Sequence, residues 1–308
     1  MRVCIPEQKV IDPSTANEAQ LCLCMWSDLL GFGGPIRAAE WRITPSSAHN
    51  LERVSRLHKL TLDSGTDITE TVLLINDGVA RAYDYVPEHG YMRMFRWLRN
   101  TIISHHRLNL IEAENGLPGA RTVMAYGERL HYTEPTLSLH QLHGEYGEGY
   151  IDRTIVYSPT FFQMNMAFAK AYSLDAAGSA SGLSGPCYFI EGSMISFLES
   201  LDGQEAPGLW ARDKDGKPSI RIYLRKNGLW RELMIALGGM LEMSLLMKSE
   251  SLALPTLGLE VWELVAVTPM QGQLCYLPIY PHTDIGDGIP TLSLREGFVP
   301  GQIGYAHN

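Results

Sequence analysis

Helix-period and strand-period apolar segments follow one another along this chain in no regular alternation. A doubly wound sheet needs strand and helix in turn, so the irregular order points instead to an α+β fold with a mixed, mainly antiparallel sheet flanked by helices. A helix is read over about 15–30, where DPSTANEAQLCLCMWSDLLGFGG opens on cap-forming residues and ends in glycines. The stretch from Ser55 to Val86 alternates and is broken at Asp63-Ser64-Gly65, which reads as two or three strands with tight turns. GYMRMFRWLRNTIISHHRLNLIEAENG has apolar residues at helical spacing and ends in Gly116, the pattern of a long helix. Strands are expected at RTVMAYGERL, IDRTIVYSPTFF, CYFIEGSMISFL, KPSIRIYLR, LEVWELVAV and QLCYLPIY, and a core helix at ELMIALGGMLEMSLLM, 232–247.

No linker forces a second domain, so residues 1–308 are read as one domain, with 1–59 as an N-terminal helical extension. Hydrophobic residues make up 45% of the chain, ample for a large core, and the net charge of −9 argues against a nucleic-acid coat. The five cysteines, Cys4, Cys22, Cys24, Cys187 and Cys275, are odd in number and include no C-x-x-C, which speaks against a disulfide scaffold and for a reducing compartment. MRVCIPEQKV has no apolar signal-peptide core, and no uncharged apolar run reaches 18 residues, so a cytoplasmic protein without membrane spans is expected.

Four signatures occur in order: AYGERL with Tyr126-Gly127, DRTIVYSPTF with Asp152-Arg153, SGPCYF with Pro186-Cys187, and SIRIYLRKN with Arg225. After them come the 232–247 run and LEVWELV. This order resembles the thymidylate synthase superfamily, which includes the pyrimidine hydroxymethylases, over roughly residues 60–280. The resemblance implies a thymidylate-synthase-like fold, a homodimer, and folate-dependent transfer of a one-carbon unit from 5,10-methylenetetrahydrofolate to C5 of a pyrimidine nucleotide or related ring. In such chemistry a cysteine thiolate adds to C6 of the ring and makes C5 nucleophilic. Nearby guanidinium groups favour the thiolate and hold the phosphate bidentately. By position Cys187 resembles the nucleophile, Tyr126 the site tyrosine, Arg225 the phosphate ligand at the strand end, Arg153 the arginine given across the dimer, and Tyr276 the ribose ligand. Lys226 and Asn227 stand beside Arg225 as further substrate contacts.

The pattern is incomplete. Met94, Ala236 and Gln273 stand where the family has a general base, a base-reading amide and a late histidine, and Tyr188 replaces the histidine after the cysteine. A pseudoenzyme that keeps the fold as a binding subunit is therefore a second reading, and a viral or other assembly subunit a third. Cys187 itself reads equally as a nucleophile or as a small buried hydrophobe. His282, Asp284 and His307 form a two-histidine, one-carboxylate set that also reads as a turn-rich tail. Cys22-x-Cys24 reads as core, and GFGG (31–34), with no strand read before it, as a turn and not a phosphate loop. The dimer is the simplest of these expectations to check. Light scattering at micromolar concentration should give twice the chain mass, and a strict monomer would exclude it.

Overall fold

In the computed structural model, which describes residues 19–63, 70–87, 91–130, 160–204, 220–227, 229–237, 240–269, 283–285 and 289–293, the stretch expected as the first helix is a strand. This strand, β1 (Ala19–Leu29), is followed by three helices, α1 (Gly33–Ala38), α2 (Pro45–Ala48) and α3 (Asn50–Asp63). Then come β2 (Glu70–Ile75), β3 (Gly78–Asp84), α4 (Tyr91–Glu114) and β4 (Ala120–Leu130). β1 lies between β3 and β4 and is antiparallel to both, and β2 flanks β3. The order β2-β3-β1-β4 with helices between makes a βαββαβ unit of the ferredoxin-like type.

β1 escaped a period-two reading because both of its faces are covered. Leu23, Met25 and Leu29 pack with α3 and α4, while Cys22, Cys24 and Trp26 pack on the other side. A strand buried on both faces carries a continuous apolar run, which periodicity alone cannot tell from a helix. α5 (Met166–Ala177) supplies the second cover through Ala167, Ala171 and Leu174.

Beyond α5 come β5 (Tyr188–Glu191) and α6 (Gly192–Ser200). They are followed by β6 (Ile220–Asn227), β7 (Trp230–Leu237), β8 (Met240–Lys248), β9 (Leu252–Leu254), β10 (Leu259–Pro269), β11 (Thr283–Ile285) and β12 (Ile289–Ser293). β5 joins β4 in parallel, the one parallel pair among the described residues, and the sheet continues β5-β10-β8-β7-β6. The fold is therefore α+β with a mostly antiparallel sheet flanked by helices, as the sequence led us to expect.

Its arrangement is not that of a thymidylate synthase. The expected core helix at 232–247 is the β7–β8 hairpin, in which Leu237 pairs with Met240 and Gly238-Gly239 stands between them in sequence. Paired glycines cost a helix stability and suit a two-residue hairpin connection. The run CYFIEGSMISFL also divides: four residues form β5, and then Glu191 caps α6 by accepting a hydrogen bond from Ser193 N at 3.1 Å. The stretch 55–63 is helical where strands were expected, and α4 and β10 fall where they were read. No helix among the described residues is long and apolar enough to cross a membrane.

The β2–β3 hairpin turns through two residues, Asn76 and Asp77, with Ile75 paired to Gly78 and Asn76 at φ +51°. A positive φ at the first central position matches the twist of hairpin strands, and asparagine tolerates it. Gly78 must be glycine for another reason: a Cβ there would run into the ring of Trp26 on β1. Gly78→Ala should cost about 1–3 kcal/mol, the usual range for overpacking. The urea midpoint reads it, and an unchanged midpoint would mean the Trp26 ring moves aside freely.

Candidate functional site

Among the described residues, Cys187, Tyr126 and Arg225 do not share a pocket. Arg225 lies on β6, four strand spacings from β5 in the order β5-β10-β8-β7-β6, so its backbone is about 19 Å from the strand that follows Cys187. Tyr126 lies four residues beyond Thr122, whose amide donates to the Cys187 carbonyl at 3.0 Å, and so is about 13 Å further along β4. It also faces the other side of the sheet, stacked on Phe197 of α6 at 4.2 Å between centroids, whereas Cys187 packs against the α5 side. Burial, then the nearby Glu128 carboxylate, pushes the Tyr126 phenol up from its ordinary value. The Cys187 thiol is half-buried, and 3.8 Å from it lies Glu263 Oε1, a carboxylate that Lys248 pairs from its other oxygen. Lys226 is exposed on the edge strand, where Asn227 ends β6. Arg153, Tyr276, His282 and His307 lie outside the described residues.

A different site forms where β1 leaves the sheet. Asp28, the penultimate residue of β1, sits opposite Gly78 of β3 and Arg121 of β4. The hairpin turn brings Asp77 alongside, with the Leu29 amide donating to the Asp77 carbonyl at 3.1 Å. Two carboxylates thus share the end of the central strand. The neighbouring cations are occupied elsewhere. Arg121 donates through Nε to Asp175 Oδ1 of α5 at 2.6 Å and through its other nitrogens to the Asp175 and Leu183 carbonyls. Trp26 Nε1 holds the second Asp175 oxygen at 3.1 Å. Arg53 of α3 donates to Glu112 Oε2 at 2.8 Å and to the Leu30 carbonyl at 3.0 Å.

Asp28 feels the consequence. Burial first, then the charges of Asp175 and Asp77, push its carboxyl up to about 7, and the pull of Arg121 and Arg53 does not offset them. Asp77 is raised as well, mainly by burial, although Asn76 Nδ2 donates to its Oδ1 at 3.0 Å. Asp28 has no such donor among the described residues.

The loop after Asp28 adds donors. β1 does precede GFGG, which corrects the reading of that stretch as a turn with no strand before it. The Leu30 carbonyl is held by Arg53 and the Phe32 carbonyl by Asn50 Nδ2 at 2.8 Å. In a trans peptide the N–H points opposite to the C=O. The amides of Gly31 and Gly33 are therefore turned away from α3, and neither meets a described acceptor. A Cβ at Gly33 or Gly34 would meet nothing within 4 Å, so open space lies beside the loop.

Sequence reading missed Asp28 and Asp77. A signal was present in each case: a lone carboxylate between an apolar run and a glycine-rich turn, and the hairpin triplet Asn76-Asp77-Gly78. Among the described residues no group of three or more His, Cys, Asp or Glu side chains could hold a metal, which leaves two carboxylates as the protein's contribution to any cation here.

No family model matches the chain, and no curated protein matches it. Among solved structures it is similar to the crystal structure of the adenylyl cyclase CyaB from P. aeruginosa, at 13% identity and a TM-score of 0.39, covering 80% of this chain and 95% of that one. It is also similar to the crystal structure of the guanylyl cyclase Cya2, at 12% identity and a TM-score of 0.38, covering 86% and 100%. Neither structure is a thymidylate synthase, and among the described residues Tyr126, Cys187 and Arg225 do not meet. The thymidylate synthase resemblance, and with it folate-dependent methylation or hydroxymethylation of a pyrimidine, is withdrawn.

The raised Asp28 carboxyl has a consequence for stability. In the folded chain it keeps its proton to about 7, whereas its ordinary value is 3.8. The folded state then binds the extra proton between those values, so this group destabilises the fold as pH rises from about 4 to about 8. Asp28→Asn removes that slope. In EDTA its melting temperature should match wild type near pH 4 and exceed it by a few degrees near pH 8. A difference that stays constant with pH would mean that Asp28 is paired.

Proposed function

We propose that the chain is an enzyme acting at the phosphates of a nucleotide, with Asp28 and Asp77 holding a divalent cation of the Mg²⁺ type. The observation that carries this reading is the Asp28 carboxyl at the end of β1, half-buried beside Asp77 and pushed up to about 7 by burial and then by the charges of Asp175 and Asp77. Raised carboxylates in a shared, partly buried position are frequent at functional sites. The donor set fits the ion. Mg²⁺ takes hard oxygen ligands and is commonly held by one or two carboxylates, with phosphate oxygens and water completing the shell. A bound divalent cation would supply charge neutralisation on the phosphate oxygens.

The chain's own groups then divide the work. Asp28 and Asp77 present carboxylate oxygens at the end of β1. The outward amides of Gly31 and Gly33 offer donors for phosphate oxygens, since successive backbone N–H groups form anion-binding concavities. Gly33 and Gly34 leave the loop open to close approach. Asp175 stays tied to Trp26 and Arg121, which keeps α5 docked and leaves the carboxylate pair to the cation.

Calorimetric titration with Mn²⁺ tests the reading. Wild type should bind, with an affinity that falls about tenfold per pH unit below 7, because the Asp28 proton competes with the metal. Asp28→Asn and Asp77→Asn should each weaken binding at least about tenfold, or about 1.4 kcal/mol. Nucleoside triphosphates should bind only with the cation present, and their turnover can be followed by ³¹P NMR. A wild-type protein that takes up no divalent cation near pH 8 would overturn the proposal.

A further inference from the structure

Helix α3 opens against the loop that follows Asp28, and its first turn spends two buried side chains on that loop. Asn50, 5% exposed, donates to the Phe32 carbonyl, and Arg53, 2% exposed, donates to the Leu30 carbonyl. The two carbonyls alternate along the loop, so both are drawn toward α3 and both following amides face the other way. Arg53 is itself fixed from behind by Glu112 of α4, a side chain with no exposure, and reaches the Gly119 carbonyl at 3.5 Å. The loop's third tie is internal: the Gly34 amide donates to the Gly31 carbonyl at 3.1 Å. Gly31 sits at φ +69°, a conformation only glycine adopts freely.

We propose that Asn50 and Arg53 are positioning residues for phosphate binding, acting through the loop rather than touching the ligand. This rests on the reading of the carboxylate site above. Its physical content is the direction of two peptide groups. Without the Asn50 amide, the peptide between Phe32 and Gly33 loses the donor that holds its carbonyl inward, and the Gly33 N–H is free to swing away from the phosphate. Packing alone would not need this chemistry. An aliphatic side chain would fill the same space beside Phe32, but it would leave that buried carbonyl without its donor. Asn50 carries no charge and its side chain donates to the Phe32 carbonyl of the loop, whereas the cation site lies on β1 and the hairpin, so Asn50 variants separate the two affinities.

The probes are Mn²⁺ alone and inorganic tripolyphosphate in the presence of saturating Mn²⁺, both titrated calorimetrically into the full chain near pH 8. Asn50→Ala, and Asn50→Asp, which keeps the shape but loses the donor, should hold Mn²⁺ within about twofold of wild type and bind tripolyphosphate at least about tenfold more weakly. Arg53→Lys keeps one donor for the Leu30 carbonyl and should retain most of the tripolyphosphate affinity. If an Asn50 variant does not fold, Arg53→Lys against Arg53→Met decides, with Lys expected to bind and Met to fail. Unchanged tripolyphosphate binding in the folded variants overturns the inference, and so does a parallel loss of Mn²⁺. Wild type that binds Mn²⁺ but no tripolyphosphate sinks the inference and leaves the cation reading standing. Wild type that binds tripolyphosphate without Mn²⁺, and loses it in Asn50→Ala, does the reverse.

Discussion

Strand β1 is hydrogen-bonded along both edges and covered on both faces, and the rest of the site follows from that confinement. Its partners β3 and β4 run the other way on either side, so the strand's side chains have only the two helix layers to face. Apolar residues fill nearly the whole length, and burial of that run is the main local driving force for the sheet. A carboxylate is tolerable on such a strand only where the strand leaves the core. Asp28 sits at that exit, on the α5 side, still half out of water.

The two faces of this exit are treated differently. On the α4 side, Ser27 Oγ and Thr122 Oγ1 lie 2.9 Å apart, and Thr122 Oγ1 is 2.8 Å from His105 Nδ1. Asn109 of α4 closes this network by donating to the Ala120 carbonyl and accepting from the Ala120 amide. Burial pushes the His105 imidazole down to about 3, so the whole network is neutral and satisfied. On the α5 side the polar groups are charged. Two of them, Arg121 and Asp175, satisfy one another, and the third, Asp28, has no hydrogen-bond donor of its own among the described residues and only the more distant pull of Arg121 and Arg53. A buried ion pair with added hydrogen bonds is stable in place, whereas a lone carboxylate in the same surroundings draws a proton or a cation. The asymmetry explains why the electrostatic deficit collects on this side of the sheet, at Asp28 most of all.

Several expectations failed through one ambiguity. An apolar run buried on both faces has no period of two, so β1 resembled a helix, while β7, which alternates between buried and half-buried residues, and β8 merged across a glycine pair into one long apolar run in the sequence. The resemblance to thymidylate synthase then assembled itself from short motifs whose order along the chain was real, while the strand that carries Arg225 lies far across the sheet from the one that follows Cys187. Cys187 and Arg225 belong to β-elements separated by three intervening strands, and no property of either motif encodes that spacing. Gly31–Gly34 was misjudged for the same reason, since its meaning depended on recognising the strand before it.

What the sequence determined by itself is the class and the local punctuation. Irregular order of helical and strand patterns implied α+β with a mainly antiparallel sheet, and α4, β4 and β10 declared themselves through spacing strong enough to survive any context. The Asn76-Asp77-Gly78 turn and the glycines after Asp28 were written there as well, because turn chemistry is set by a few adjacent residues. Only the tertiary structure decided that Asp28 and Asp77, 49 positions apart by their numbers, stand side by side, and that Arg121, Arg53 and Asp175 are spent on other partners. Register and side-chain pairing are long-range quantities. They are fixed by which strands find each other in the sheet, and the sign of the charge left over at the end of β1 exists only once all those pairs have been made.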